Sequence, residues 1–213
     1  MSAREFVEDE NLGPMTRKLA KAYADAKHPL AQIRYAEVLL VESARNLRKA
    51  KTAEEREFRQ VLLDSATREA ERYLKSAAKF DEGKKQSNYY LGMMYSDPSL
   101  FRSKANSVIG MMVGRSPQTD RTISFRCFLQ AAKHDHVTAM RIVAARFRDG
   151  YGVRMSSKSA IEWFEKAKKK GDKRSAAALV KMTKAADSPK PRTSSRPKGG
   201  LTGAASQQAA RAY

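Results

Sequence analysis

The chain has 213 residues and a formal net charge of +19 at pH 7, because it carries 42 Lys or Arg against 23 Asp or Glu. It contains no apolar run of roughly 18 residues, as a membrane-spanning helix requires, and its first residues are too acidic for a secretory signal, so we expect a cytoplasmic protein. The positive charge favours an acidic partner, which could be nucleic acid, anionic lipid or an acidic protein surface.

The sequence predicts one folded unit over residues 15–184, between a flexible N-terminal segment, residues 1–14, and a disordered basic tail, residues 185–213. Apolar residues at three- and four-residue spacing indicate that this unit is helical. The first helices are expected over residues 15–26, 30–49 and 53–80, with Thr52 as the N-cap of the third. The second and third are longer than the later helices, so this pair is expected to project.

The most regular stretch, residues 139–175, has the pattern of two helices joined by a tight turn. The inner positions of its first helix are Ala139, Val143, Ala144 and Phe147. Gly150 and Gly152 follow, where a turn needs positive φ. The second helix is expected over residues 157–170, with inner positions Ala160, Trp163, Phe164 and Ala167 and with Gly171 after its end. We expect Trp163 to be the large side chain that fills the space between helix pairs.

The same unit is present at least twice more in the sequence. Asp120, Cys127 and Ala131 lie 36 residues before Ser156, Trp163 and Ala167. This middle copy covers residues 87–135 and carries 16 additional residues between its two helices. A degenerate copy covers residues 30–80. The spacing therefore predicts a solenoid of helix-turn-helix repeats. Cys127 is the only cysteine, which excludes an internal disulfide, and its place in the repeat predicts a buried, inert thiol.

The order of small, large and glycine residues in these copies resembles that of Sel1-like repeats, relatives of tetratricopeptide repeats. In residues 139–175 the matching positions are Ala139, Val143-Ala144, Phe147, Gly150, Gly152-Val153, Ala160, Trp163 and Ala167. Two departures are mild: Ala144 stands in place of a glycine and Ser156 in place of the usual aspartate. The resemblance implies an all-α superhelix that contacts other proteins.

Three segments also resemble a narrower group, the fungal chitin synthase activators with Sel1-like repeats. They are residues 31–44 (AQIRYAEVLLVESA), 125–139 (FRCFLQAAKHDHVTA) and 161–176 (IEWFEKAKKKGDKRSA). This resemblance implies a non-enzymatic scaffold that binds and positions a membrane-bound synthase, with a role in cell wall or septum formation. It also implies a place at the plasma membrane or the division site, and a chitin synthase or a septum scaffold as the partner.

The insertion in the middle copy contains an apolar run that a short connection between helices does not need. Its candidate contact residues are Ile109, Met111 and Met112. One interpretation is that the run packs as an irregular helix within its own repeat. The other is a docking patch for a protein partner, to which flexible methionines would adapt.

The basic tail suggests two further contacts. Its Ser, Pro, Gly and Lys composition cannot bury enough apolar surface to fold, but its charge suits an anionic membrane surface. The stretch 192–197 resembles the phosphopeptide signature that 14-3-3 proteins bind, with Ser195 as the phosphorylation site.

Three arginines of the last repeat, Arg141, Arg146 and Arg148, are expected to point outward from its first helix. They are either solubilising charges or the basic groove that binds an acidic segment of the partner.

No residue pattern indicates catalysis, a cofactor or a metal. His134 and His136 lie in a turn between repeats, and neither a third histidine nor a cysteine is close to them in the sequence. The alternative function is a basic helical-repeat protein of a ribonucleoprotein or nucleic-acid complex, which the charge favours. The lack of an aromatic base-stacking motif argues against it.

Overall fold

The computed structural model describes residues 14–96 and 120–187. The regular structure in these ranges is helical: α1 (Pro14–Asp25), α2 (Pro29–Arg48), α3 (Ala53–Ala77), α4 (Asp81–Met94), α5 (Arg121–Lys133), α6 (Val137–Asp149), α7 (Ser157–Lys169) and α8 (Lys173–Asp187). Each helix packs against the next in sequence, and α2 also contacts α4. The described part of the chain is therefore an α-solenoid, as the repeat spacing predicts. None of its helices is both long enough and apolar enough to cross a membrane.

Polar side chains at the predicted positions begin three of these helices. The hydroxyl of Thr52 accepts a hydrogen bond from the backbone of the first turn of α3. The carboxylate of Asp120 accepts two such bonds at the start of α5, and the hydroxyl of Ser156 accepts one at the start of α7. Because Asp120 and Ser156 are 36 residues apart, the two caps confirm the predicted register.

The buried positions follow the same register. Ala131 and Ala167 are both fully buried, and the two phenylalanines at equivalent positions, Phe128 and Phe164, are 0% and 2% exposed. The main core runs from α2 to α7, and a smaller cluster around Ala144, Ala160 and Phe164 joins α6, α7 and α8. The repeats thus share one continuous interior.

Trp163 lies between the two core clusters, as the spacing predicts, and the buried ring of the same helix is its neighbour Phe164. Ala160, Phe164 and Ala167 lie on the inner face of α7, whereas Trp163 is rotated to one side and only partly buried. Its ring touches both core clusters, and the ammonium group of Lys166 lies 4.3 Å from the ring centroid. Cys127, one repeat earlier, is partly buried in the same way.

The last helix, α8, begins a further repeat that the sequence pattern did not reveal. Each first helix has a small, fully buried residue at the same position, namely Ala31, Ser87, Ala139 and Ser175. Ser175 follows Ala139 by 36 residues. Helix α8 therefore has the position of a first helix, and it continues to Asp187, past the predicted end of the folded unit at residue 184.

The turn between α6 and α7 needs its two glycines for different reasons. Gly150 ends α6 in the left-handed region, with φ of 69°. Gly152 also has a positive φ of 73°, and a Cβ atom there would lie 2.2 Å from the carbonyl oxygen of Arg121. The second glycine thus lets the turn approach the start of α5. Gly171 has a φ of 89° in the turn after α7.

The α2 and α3 pair is longer than the later pairs, as predicted. These helices have 20 and 25 residues, whereas α5, α6 and α7 have 13 each. The additional length carries a small core of its own, formed by Ala44 and Leu63 with Val41 and Leu47. Two boundaries differ from the prediction, since α3 ends at Ala77 and α4 begins at Asp81.

Candidate partner-binding site

The predicted basic groove on α6 is not formed, because Arg146 points inward. Its side chain is 4% exposed and its guanidinium group lies 4.9 Å from the ring centroid of Phe128. The equivalent residue of α4 is Met94, which is fully buried. An arginine at this position of the repeat therefore lies in the interior, and the expectation of an outward side chain is wrong.

Hydrogen bonds hold the guanidinium group of Arg146 inside the protein. It donates to the hydroxyls of Ser96 and Ser124, over 3.1 and 3.0 Å, and to the backbone carbonyl of Arg121, over 3.3 Å. Burial lowers the pKa of Arg146 to about 10. Ser96 lies just after α4 and Arg121 is the first residue of α5, so Arg146 ties together the two helices that flank the insertion.

The other two arginines of the predicted groove lie beside carboxylates. Arg141 is 3.3 Å from the carboxylate of Asp172, and Arg148 donates to the carboxylate of its neighbour Asp149. Because these ion pairs offset the positive charges, the three arginines do not form one exposed basic surface. A role for Arg141 and Arg148 in partner binding stays a prediction.

An exposed basic surface lies instead on the C-terminal half of α3 and just after it. We call it the basic row, and it consists of Arg68, Arg72, Lys75 and Lys79. These residues recur at four-, three- and four-residue spacing, which brings them to one face of the helix. That face is opposite the one that buries Ala70 and Leu74 in the core.

Most of the charge on the basic row is not offset locally. Among the described residues, Arg68, Arg72 and Lys79 form no ion pair, and the guanidinium group of Arg72 lies 5.2 Å from the ring centroid of Tyr73. Lys75 is the exception: its ammonium group lies 2.6 Å from the carboxylate of Glu71, and that hydrogen bond raises the pKa of Lys75 to about 12. Glu71 also accepts a hydrogen bond from the hydroxyl of Tyr95, which fixes it against α4.

The basic row could have been found from the sequence. The helix over residues 53–80 was predicted, and basic residues at this spacing within a helix necessarily share one face. The arginines of the most regular repeat have a similar spacing, but there one of them, Arg146, is buried.

His136 and Cys127 are of residue types that often bind metals or take part in catalysis, but here both lie partly buried among core side chains. The imidazole of His136 accepts a hydrogen bond from the backbone of Ala139 at the start of α6 and stacks on the ring of Tyr89. Burial lowers the pKa of His136 to about 4, with a smaller contribution from Lys85. Burial also raises the pKa of the Cys127 thiol to about 11. This value agrees with the expectation of an inert thiol.

Four predicted contact residues lie outside the described ranges. They are Ile109, Met111 and Met112 of the insertion and Ser195 of the tail. The docking patch and the phosphorylation site stay predictions.

Solved structures with this helical arrangement are known. No family model and no curated protein matches the sequence. The chain is similar to a Sel1 repeat protein from Oxalobacter formigenes, with 24% identity and a TM-score of 0.48 over 78% of this chain and 98% of that one. It is also similar to c5321, a protective antigen of uropathogenic Escherichia coli that displays an SLR fold, with 18% identity and a TM-score of 0.52. The second alignment covers 80% of this chain and 28% of the antigen chain.

The likeness to the antigen and the register of caps and buried residues agree on the fold. The described part of the chain is an α-solenoid of Sel1-like repeats.

Proposed function

We propose that the protein is a non-enzymatic scaffold that binds an acidic segment of a protein partner on the basic row. The main support is that four exposed basic side chains lie on one side of α3 and the turn after it, and that three of them form no ion pair with a described residue. Solenoids of helical repeats commonly offer extended surfaces to protein segments.

The dimensions of the basic row suit a short acidic peptide. From Arg68 to Ala77 the helix rises about 14 Å, which equals the length of about four residues of extended chain, and Lys79 lies in the turn just beyond it. Each exposed ion pair contributes about 0.2–1 kcal/mol, so the row supplies a moderate affinity that salt weakens. Additional contacts of the partner would supply the rest.

We further propose that the partner is a membrane-bound synthase, in particular a chitin synthase, or a scaffold of the septum. The support is the resemblance of residues 31–44, 125–139 and 161–176 to chitin synthase activators. On this proposal the protein acts on the cytoplasmic side of the plasma membrane or at the division site.

A charge reversal on the basic row tests the binding surface. Arg72→Glu combined with Lys79→Glu should weaken binding of a glutamate-rich peptide about tenfold or more, because two favourable pairs become repulsive. The matched control is Lys158→Glu with Lys169→Glu on α7, which changes the net charge equally at exposed positions. Fluorescence anisotropy of the labelled peptide at low salt measures the dissociation constant of each variant. Equal weakening by the two variants would show that only the overall charge matters and would contradict the proposed surface.

The same pair of variants tests the identity of the partner. Affinity purification followed by mass spectrometry should recover a chitin synthase or a septum scaffold with the wild-type chain and lose it with the basic-row variant. If RNA is recovered instead, with a binding constant that falls steeply as salt rises, the nucleic-acid alternative is correct.

A further inference from the structure

Helix α8, the last described helix, presents a positively charged outer face. Ser175 is fully buried, and Ala178, Leu179 and Met182 are half-buried on the same side, where they pack on the smaller core cluster. The opposite side carries four exposed basic residues, whose spacing brings them to one side of the helix. We call these four residues the cationic face: Lys173, Arg174, Lys181 and Lys184.

Little negative charge is available nearby to offset the cationic face. Residues 166–184 contain eight Lys or Arg and a single acidic residue, Asp172. The carboxylate of Asp172 is already bound within the protein, because it accepts a hydrogen bond from the backbone of the first turn of α8 and lies 3.3 Å from the guanidinium group of Arg141 on α6. The outer side of α8 therefore keeps its positive charge.

The positive region extends past the cationic face into the turn between α7 and α8. Lys168 and Lys169 are exposed there and form no ion pair with a described residue, whereas the ammonium group of Lys170 lies 3.1 Å from the carboxylate of Asp135. The earlier turns of α7 end this region, because they expose two glutamates, Glu162 and Glu165.

The cations of α8 stand at positions where they do not stabilise the helix. Lys173 and Arg174 occupy the first turn, which contains no acidic residue, although this end of a helix favours negative charge. Lys181 and Lys184 are neighbours on the helix surface, where like charges repel each other. Because folding does not account for these charges, they indicate a partner that carries many negative charges.

Three features favour an anionic lipid surface over nucleic acid as that partner. The cations are spread over an open helix face, which suits a flat surface. Seven of the eight basic residues in 166–184 are lysines, which act as point charges, whereas the forked guanidinium group of arginine is the usual choice for nucleic acid. Val180 is 52% exposed on the same side of α8, as is typical of helices that lie in a bilayer interface.

We infer that the cationic face of α8 binds an anionic lipid surface, with Val180 against the lipid headgroups. Each lysine close to such a surface strengthens binding about fivefold, so four basic residues give reversible binding that salt weakens. The basic row lies on α3, five helices earlier, so the two surfaces do not overlap. A chain held at a membrane through α8 can therefore still bind an acidic segment of a partner.

Co-sedimentation of the full chain with lipid vesicles tests this inference. The chain should bind vesicles of phosphatidylcholine mixed with phosphatidylserine and should not bind vesicles of phosphatidylcholine alone. Lys173→Glu combined with Lys181→Glu should weaken this binding by about tenfold or more, because two attractive charges become repulsive. Both positions are exposed, so the variant should keep the helical circular dichroism and melting temperature of the wild type. The matched control is Arg72→Glu with Lys79→Glu, which changes the net charge equally and should leave vesicle binding within about threefold.

A fluorescent label on α8 shows whether this helix itself meets the lipid. Val180→Cys provides the labelling position, because the native thiol of Cys127 is partly buried and its pKa is raised to about 11 by that burial. The emission of an environment-sensitive dye at this position should shift to the blue on vesicles that contain phosphatidylserine. The same dye on Phe58→Cys, at a 65% exposed position of α3, should show no shift.

Two kinds of result overturn the inference. If the chain sediments with the mixed vesicles but ignores the substitutions on α8, or leaves the dye at position 180 unshifted, another part of the chain binds the lipid. If the chain does not bind the mixed vesicles but binds RNA through α8, the polyanionic partner is nucleic acid. Neither result affects the proposed function, which the Arg72 and Lys79 variant tests separately with a glutamate-rich peptide.

Discussion

The two ends of the solenoid use their helices differently. In α5 to α7 each helix has 13 residues, begins at a polar or imidazole cap and directs its large side chains into the shared core. Helix α3 has 25 residues, and its outer side carries three exposed apolar side chains, Phe58, Val61 and Leu62, as well as the basic row. Both regions contribute to the shared core, and the lengthened pair adds a long exposed surface to it. Substitutions in the core of the regular repeats should therefore change stability, whereas substitutions on the outer side of α3 should change binding.

The largest effect is expected at the centre of the regular region. Phe164→Ala should lower the free energy of unfolding by about 3–5 kcal/mol, because the ring is 2% exposed and its removal leaves a cavity. Trp163→Ala should cost about half as much, since that ring is only partly buried. Urea unfolding followed by circular dichroism compares the two. A greater loss for Trp163→Ala would show that the ring between the two core clusters contributes more packing energy than the ring inside the smaller cluster.

A medium effect is expected at Arg146, where the regular region meets the insertion. Arg146→Ala should destabilise the protein by about 2–3 kcal/mol, because it removes buried packing and the tie between Ser96 and the start of α5. Arg146→Met should be nearly neutral, since a methionine of similar length occupies the equivalent position, Met94, and avoids a buried charge. The same urea titration measures both. Equal destabilisation by Ala and Met would show that the charge itself is required.

A smaller effect, dependent on pH, is expected at His136. Its pKa is about 4 in the folded protein and 6.5 in the unfolded chain, so the unfolded chain binds a proton first as the pH falls. The resulting stabilisation is fully present above pH 6.5 and is lost between about pH 6.5 and 4. Because the ring is partly exposed, we expect a loss of about 1–2 kcal/mol.

His136→Asn removes the titrating group and keeps a residue that caps helices well. The difference in stability between pH 7 and pH 4.5 should therefore be smaller in this variant than in the wild type. Chemical denaturation at both pH values measures it, and an unchanged difference would assign the acid sensitivity to other groups.

Much of the fold follows from spacing alone, because equivalent positions of a repeat are used in the same way. Asp120 and Ser156 could be assigned as caps, and Ala131 and Ala167 as buried, from their separation of 36 residues. Spacing places both Trp163 and Phe164 on the inner side of α7 but does not give the burial of each ring, since Phe164 is 2% exposed and Trp163 is only partly buried.

The incorrect predictions about the candidate partner-binding site have a different cause from those about the fold. Arg146 lies at an inner position of the repeat, but an arginine suggests an exposed side chain unless its buried partners, Ser96 and Ser124, are known. Those partners are 50 and 22 residues away in sequence. The basic row, in contrast, could be predicted from the sequence. This prediction needs only the helical spacing of its members, Arg68, Arg72, Lys75 and Lys79.

Hydrogen–deuterium exchange of the wild-type chain, with and without a bound glutamate-rich peptide, locates the surface that binds an acidic partner. Peptide binding should slow exchange in the C-terminal half of α3 and the turn that follows it, near Arg72, Lys75 and Lys79. Exchange in α6 and α7 should stay unchanged. Protection confined to α6, α7 and α8, with none in α3, would contradict the assignment of the partner surface to the lengthened helix.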